Sequence, residues 1–450
     1  MRSPWLGAAA DIERDEWPFA AAMSCAFFLV ITTFWILKPL KKAHFIAFYD
    51  VAGLTLLDLR LDAAQAELLA KVLNMVVAAI AALAFGAASS RLRRERLLLV
   101  FTGLFVLGHG AFALLLSDLS GPTVWAFYLY GDLFSTLMVV SFFAFLNDSV
   151  SQDAAKRLYG LAGLGGVAGG AVGSIFLASW IEELESTHWM GVCIGLGFLT
   201  AAASAAAGRF ARRLPEASLS HAGDEAPEAE EEETALDAAL GGARLALRSR
   251  YLLSVIAIVG LYELVSTLMD FQFSSSVEHF LDGDAIASHF SLVYAITNST
   301  ALFVQLFLTS FVMTRLGVGA ALLVLPAAML GGSVAFLLVP MLWTGSLLNT
   351  ADNAFAYSIN QSAKESLYVP TTPAEKYQAK AFIDMWVQRA AKAAAVVSGL
   401  GITIVFQQFS AVRWLSLLTL ALLLVWIPAV RYAGHRFERY EQESSGAGDA

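Results

Sequence analysis

The sequence predicts an all-α membrane protein of about twelve transmembrane helices arranged as two six-helix halves. Three observations predict it. Of 450 residues, 58% are hydrophobic and only 15% are charged, whereas soluble domains are about 45–50% apolar and about 25% charged. The apolar residues fall in blocks close to the roughly 20 residues that a helix needs to cross hydrocarbon. Charge is segregated from those blocks. Much of the net −9 comes from one polar stretch between Glu216 and Asp237, which includes Asp224, Glu225, Glu228, Glu230, Glu231, Glu232 and Glu233. A carboxylate block of this kind stays solvated and gives no information on the sign of any ligand.

Taken in order, the first six spans are Pro18–Leu40, Ala66–Ala88, Leu97–Leu116, Thr123–Leu146, Leu158–Ile181 and Trp189–Gly208. The second six are Leu252–Ser275, Ile286–Thr314, Gly317–Pro340, Met341–Gln361, Tyr377–Phe406 and Arg413–Val430. The organisation expected is an N-terminal half over residues 1–213, an acidic linker over 214–250, a C-terminal half over 251–434 and a polar tail over 435–450. The first apolar run follows Asp11, Glu13, Asp15 and Glu16 and ends in lysines rather than at a small-residue cleavage site. It reads as a retained helix and not as a signal peptide.

Lysine and arginine set the orientation. One set of connections carries Arg91, Arg93, Arg94, Arg96, Lys156 and Arg157, the linker carries Arg209, Arg212, Arg213, Arg244, Arg248 and Arg250, and the tail carries Arg431, Arg436 and Arg439. The other set holds little beyond Arg60, Lys71 and Arg413 and is acidic at Glu182, Glu183, Glu185, Glu278, Asp282 and Asp284. The expectation is a multi-pass protein of the cell (inner) membrane with both termini and the linker in the cytoplasm.

Enzymatic and nucleic-acid functions find no support. Seven scattered histidines lack metal-ligand spacing, most of them near loop ends, and there is no Gly-x-Ser-x-Gly elbow or Gly-Lys-Ser/Thr phosphate loop. The glycines of the fifth span (Gly160, Gly163, Gly165, Gly166, Gly169, Gly170 and Gly173) mimic a dinucleotide-binding spacing. No strand precedes them, so they read as a small-residue face for close helix packing. Cys25 and Cys193 read as small buried apolar residues. The arginine clusters fit the orientation rule, not nucleic acid. No cofactor or metal is expected. The partners expected are the lipid bilayer and a small-molecule substrate, and the chain is expected to be a monomer.

Six spans, a long polar linker and six more spans resemble the layout of the major facilitator superfamily, whose halves are related repeats. The loop Gly86-Ala-Ala-Ser-Ser-Arg-Leu-Arg-Arg-Glu-Arg96 resembles that superfamily's Gly-x-x-x-Asp-Arg-x-Gly-Arg-Arg loop, with Ser90 where the aspartate would stand. Thr314-Arg315-Leu316-Gly317 is a fainter echo in the second half.

Ionisable groups at bilayer depth cost a few kcal/mol and normally face a partner or a wet cavity. Lys38, Lys41 and Lys42 close the first predicted span, either as snorkelling interface lysines or as functional cations. Asp132 lies in the fourth span near Tyr128. Glu263 and Asp270 lie seven residues apart in the seventh, on nearly one face. Lys380, Asp384, Arg389 and Lys392 occupy the eleventh, where Lys380 and Asp384 are spaced to pair with each other. Cations and carboxylates drawn from both halves would suit a polyanion that also carries hydrogen-bonding groups.

These residues also resemble the ATP/ADP translocases of plastids and obligate intracellular bacteria. Lys364-Glu365-Ser-Leu-Tyr368-Val-Pro370, then Lys376, Lys380-Ala-Phe-Ile383-Asp384 and Lys392, is similar to that family's Lys-Glu-x-x-Tyr-Ile-Pro segment with its later lysines and aspartate. Tyr262 to Asp270 resembles a segment that ends in a functional glutamate. Asp132-Leu133 through Asn147, followed by Ala155-Lys156-Arg157-Leu158-Tyr159, resembles another. Leu37-Lys38-Pro39-Leu40-Lys41 is similar to the segment holding a lysine linked to nucleotide transport.

The resemblance implies alternating-access exchange of nucleotides, with Lys41, Asp132, Asp270 and Lys380 in the principal roles. Asn147, Glu263, Asp384 and Lys392 complete the candidate substrate-binding set. The chain departs from the family pattern where both glutamates are aspartates and at Lys42, Ser274 and Glu263. Two other readings stay open. One is a major-facilitator transporter of another organic anion, proton-coupled through Glu263 and Asp270. The other is a transport-inactive membrane sensor.

Overall fold

The computed structural model describes residues 14–56, 59–89, 91–150, 152–214, 235–371, 379–405 and 408–446. The acidic run before Ala235 and Lys376 lie outside the described residues. The described chain is almost entirely helical and groups into two compact units. The first comprises Met1–Ala226 with Leu281–Leu302, and the second comprises Pro227–Phe280 with Phe303–Ala450.

In the first unit α1 spans Trp17–Ala52, well beyond the predicted end at Leu40. Pro18 starts it, where a missing N–H costs nothing, while Pro39 is absorbed inside the helix. A short antiparallel hairpin follows, Leu54–Leu56 (β1) paired with Leu59–Leu61 (β2), which the apolar pattern does not announce. Next come α2 (Ala63–Ser89), α3 (Arg94–Leu115), α4 (Gly121–Ser149), α5 (Gln152–Trp180) and α6 (Ser186–Ala211). The start of α2 is fixed reciprocally: the Gln65 N–H donates to Asp62 Oδ1 at 2.7 Å and the Asp62 N–H to Gln65 Oε1 at 3.1 Å, a capping-box arrangement.

Helix α1 packs most extensively on α5, and glycine is the reason. A Cβ at Gly165, Gly169 or Gly173 would stand 2.5, 2.3 and 2.6 Å from the backbone oxygens of Ser24, Phe28 and Thr32. Residues four apart on one helix therefore meet residues four apart on the other. Ser24 Oγ donates to the Leu161 carbonyl and Thr32 Oγ1 to that of Gly169, at 3.0 and 3.2 Å. Cys193 is buried in this unit, but Cys25 is exposed, because its face of α1 points away from the packed neighbours.

The second unit begins with α7 (Ala235–Arg248), so the end of the predicted linker is helix. It continues with α8 (Arg250–Phe280). Helix α9 (Asp284–Phe303) belongs to the first unit up to Leu302; the chain re-enters the second unit through a π-helical turn at Val304–Leu308 and α10 (Thr309–Arg315), and α11 spans Gly317–Leu338. The tenth predicted span is α12 (Leu342–Phe355), a π turn at Ala356–Asn360 and α13 (Gln361–Ser366). The eleventh is α14 (Lys380–Phe382), a π turn at Ile383–Val387 and α15 (Gln388–Val405). Helix α16 (Trp414–Gly446) ends the described chain. Ten helices among the described residues are long and apolar enough to cross a membrane. The tenth and eleventh predicted spans are not among these ten; each is interrupted by a π turn, as the eighth is too, and such turns tend to mark function.

Candidate substrate site

The lysines of α1 sit at spacings of three and four residues, so Lys38, Lys41 and Lys42 share one sector of the helix. Because α1 runs on to Ala52, none of them is at a helix end. Lys41 and Lys42 are only 4% and 3% exposed. The snorkelling reading is therefore corrected for both: the proline and the lysine run imitate a helix terminus in sequence, while the backbone continues.

Each buried lysine meets a carboxylate from another helix. Lys41 Nζ is ion-paired with Asp132 of α4 and lies 4.3 Å from the centre of the Tyr128 ring, one turn earlier on α4. Lys42 Nζ is 3.6 Å from Glu67 Oε1 of α2. Lys71, which sequence counting assigns to a loop, lies inside α2 and also approaches Glu67 at 3.6 Å. Tyr128 joins the two pairs, for its hydroxyl donates to Glu67 Oε1 at 2.8 Å while its ring faces Lys41. Phe45 holds that ring from α1, with centroids 5.0 Å apart.

Lys38 occupies an aromatic box, 4.5 Å from the Trp35 ring, 5.0 Å from Tyr294 and 5.9 Å from Phe34. Cation–π contact of this kind holds a cation without neutralising it. Gly131 makes the Lys41 pose possible, because a Cβ there would come within 2.7 Å of Lys41 Cδ. The first unit thus gathers several ammonium groups, aromatic faces and two carboxylates at one level of α1, α2 and α4. Asn147 is not part of this cluster. It lies fifteen residues beyond Asp132 on α4, about 22 Å along the axis at 1.5 Å per residue, exposed and accepting from the Tyr159 hydroxyl.

In the second unit α8 and α12 face each other through two polar rungs. Ser266 Oγ donates to Asp352 Oδ2 at 2.6 Å, and Asn349 Nδ2 donates to Asp270 Oδ1 at 3.3 Å. Residues 266 and 270 are one turn apart on α8, and 349 and 352 are one turn apart on α12. Glu263, one turn before the first rung, is 3.3 Å from Lys392 of α15. Asp352 and Asn349 are buried and were missed in the sequence, although a charged residue inside the tenth predicted span was the signal available.

Lys380 pairs with Glu365 at 2.5 Å, not with Asp384, and sits 5.3 Å over the Tyr368 ring. Asp384 accepts from Gln388 at 3.1 Å. The residues named in the sequence therefore form Lys41–Asp132 in one unit and Glu263–Lys392 in the other. Asp270 and Lys380 each take a partner that sequence reasoning did not choose. Tyr368 follows α13, where burial, reinforced by Asp384 and Glu365, pushes its hydroxyl above the usual range. It stays neutral beside the lysine.

The family model described as Major Facilitator Superfamily matches residues 21–363, most of the chain and parts of both units. The chain belongs to the major facilitator superfamily. It is accordingly a multi-pass membrane transporter and not an enzyme.

A second family model, described as TLC ATP/ADP transporter, matches residues 337–437 of this major facilitator protein, the region that holds Asp352, Glu365, Lys380, Asp384 and Lys392. The ADP,ATP carrier protein 2 of Chlamydia pneumoniae is 23% identical over 214 residues. That match covers 42% of this chain and 40% of the carrier, so the chain spans well under half the length of this curated relative.

Among solved structures, the nucleoside transporter NupG superimposes with a TM-score of 0.60 at 13% identity, covering 92% of this chain and 99% of that one. A bacterial homologue of the human lysosomal transporter Spinster gives 0.52 at 13% identity, covering 94% and 98%. At these identities the likeness is one of fold.

Proposed function

We propose that this major facilitator protein exchanges nucleotides across the cell membrane by alternating access, as an ATP/ADP-type antiporter with cytoplasmic termini. The observation that carries the reading is the paired-lysine cluster of the first unit. Lys41 and Lys42 are buried at adjacent positions, each faced by a carboxylate from a different helix and bridged by Tyr128. Buried lysines are retained at bilayer depth where a charge must be met, and a phosphate chain offers several oxygens to ammonium donors. Tyr128, Trp35 and Phe34 place aromatic faces beside them, suited to a base. The carboxylates stand in for the substrate when it is away.

Further support comes from the second unit, where the match to the ATP/ADP transporter model coincides with Lys380 and its partner Glu365. In this reading Lys41, Asp132, Asp270 and Lys380 are the principal substrate-binding residues, with Glu263, Asp384 and Lys392 supporting them. Asn147 is assigned to the far end of α4.

The test is a panel of labelled nucleotides offered to proteoliposomes preloaded with nucleotide or with organic anions. Counterflow of ATP or ADP above that of AMP and of organic anions supports the reading. Correctly folded protein that moves no nucleotide refutes it. A second reading is favoured by the two carboxylate rungs of α8 and α12: a proton-coupled transporter of another organic anion. It predicts uptake driven by a pH gradient without internal counter-substrate, and loss of that coupling in Asp270→Asn or Asp352→Asn.

A further inference from the structure

Basic residues beside the spans orient the chain, but orientation does not explain why arginines gather on one short helix. Helix α7 (Ala235–Arg248) has 14 residues, too few for the roughly 20 that a span requires. It sorts apolar from polar residues by face more sharply than the spanning α8 does. Ser249 separates the two helices, and its hydroxyl accepts from the Leu252 N–H at 3.4 Å to cap the start of α8. Tyr251 anchors that start by donating to the Leu367 carbonyl at 2.8 Å. Because α8 is long and apolar enough to cross the bilayer, the last turn of α7 stands at the membrane surface where α8 enters.

Three sectors of that turn face three surroundings. Ala246 is fully buried, on the side where α7 meets α8 and α14. Leu247, about 100° further round the helix, is 60% exposed. Arg244 and Arg248, one turn apart, follow at about 60° and 100° beyond the leucine, and both are exposed. Arg250, the first residue of α8, is exposed beside them. Protein, bare leucine and arginines occur in the order found around a helix lying in a membrane interface. One flank rests on the bundle, the apolar side chain dips toward acyl carbons, and the cations stay level with headgroups.

We propose that the last turn of α7 is a docking site for anionic phospholipid in the leaflet that α8 enters. Arg244 and Arg248 take the headgroup phosphate, and Leu247 seats among the upper acyl carbons. The planar guanidinium presents paired N–H donors that match phosphate oxygens. A zwitterionic headgroup carries the same phosphate but offsets it with its own ammonium, so the arginines select lipids of net negative charge. The site does not depend on what the protein carries, and its test needs no transport.

The test uses the full chain in two settings. In detergent micelles, native mass spectrometry follows binding of dioleoylphosphatidylglycerol and dioleoylphosphatidylcholine to wild type and to the double variant Arg244→Gln/Arg248→Gln. The double variant is expected to bind phosphatidylglycerol about thirtyfold more weakly, roughly five- to sixfold for each arginine, with phosphatidylcholine unchanged. In phosphatidylglycerol proteoliposomes, a bimane label on Leu247→Cys reports depth, in a Cys25→Ser background because Cys25 is exposed while Cys193 is buried. Lipid brominated on its upper acyl carbons is expected to quench that label. Equal phosphatidylglycerol binding by wild type and double variant, or an unquenched label, overturns the proposal. Phosphatidylglycerol binding that appears only when Glu230, Glu231, Glu232 and Glu233 are replaced by glutamine assigns the arginines to the acidic run of this chain, and overturns it too.

Discussion

Lys41 and Asp132 form an ion pair within the first unit, and the stem of the lysine crosses the bare backbone of Gly131, the residue just before its partner. Their side chains are 5% and 23% exposed, so neither charge is fully hydrated. Removing one strands the other. Lys41→Ala and Asp132→Ala should each destabilise the protein by roughly 3 kcal/mol, as for a broken buried pair. The double variant should lose less than the sum, a coupling that a double-mutant cycle on thermal unfolding measures. Transport should vanish in Lys41→Ala and in the double variant, because stability can be regained without the lysine but phosphate contact cannot.

Gly131 gives a finer probe of the same pair. Gly131→Ala places a methyl 2.7 Å from Lys41 Cδ and must displace the lysine stem or spread α1 from α4. Folding should survive. KM for nucleotide should rise by about tenfold, the equivalent of 1.4 kcal/mol, with a smaller change in turnover.

The glycine face of α5 makes a purely structural prediction. A side chain at Gly169 would reach within 2.3 Å of the Phe28 carbonyl oxygen, which is backbone and cannot swing aside. Gly169→Ala should cost about 1–3 kcal/mol, the range for overpacking, and Gly169→Val more. Gly163→Ala is the control, since nothing lies within 4 Å of its Cβ position. Thermal unfolding of the three variants should rank them in that order.

Lys380 and Glu365 separate function from stability. Their side chains are 32% and 43% exposed, and pairs of this kind contribute at most about 1 kcal/mol. Lys380→Gln and Glu365→Gln should therefore melt near the wild type. Exchange should nonetheless collapse in Lys380→Gln and persist in part in Lys380→Arg. A large stability loss would mark the pair as structural instead.

Most of the architecture was legible because hydrocarbon imposes a length and a composition on each span. Eight of the ten long apolar helices were placed within a few residues of their observed ends, while α1 and α16 run on well past Leu40 and Val430. What sequence hid has specific causes. Pro39 and the lysines around it read as a terminus because a proline and a charge run ordinarily end a helix, yet here Lys41 and Lys42 are paired with carboxylates within the protein and α1 continues. Glu67 was not singled out in the sequence, since its ion pair with Lys42 crosses between helices and leaves no periodic trace. Lys380 was spaced to pair with Asp384, but the π turn at Ile383–Val387 begins just before that aspartate, and Glu365 supplies the carboxylate. Asp352 could have been found, because an aspartate within an apolar span is itself a signal. The charged residues of α1, α4, α8 and α15 were visible for the same reason.

The central claim is nucleotide exchange through the first-unit lysines, and one measurement tests it most directly. Initial uptake of labelled ATP should be followed in proteoliposomes preloaded with ADP and in empty ones, for wild type and for Lys41→Gln. Wild type should take up ATP rapidly only against internal ADP, and Lys41→Gln should not exceed protein-free vesicles. Wild-type uptake indifferent to internal ADP, or a Lys41→Gln rate equal to wild type, would contradict the account.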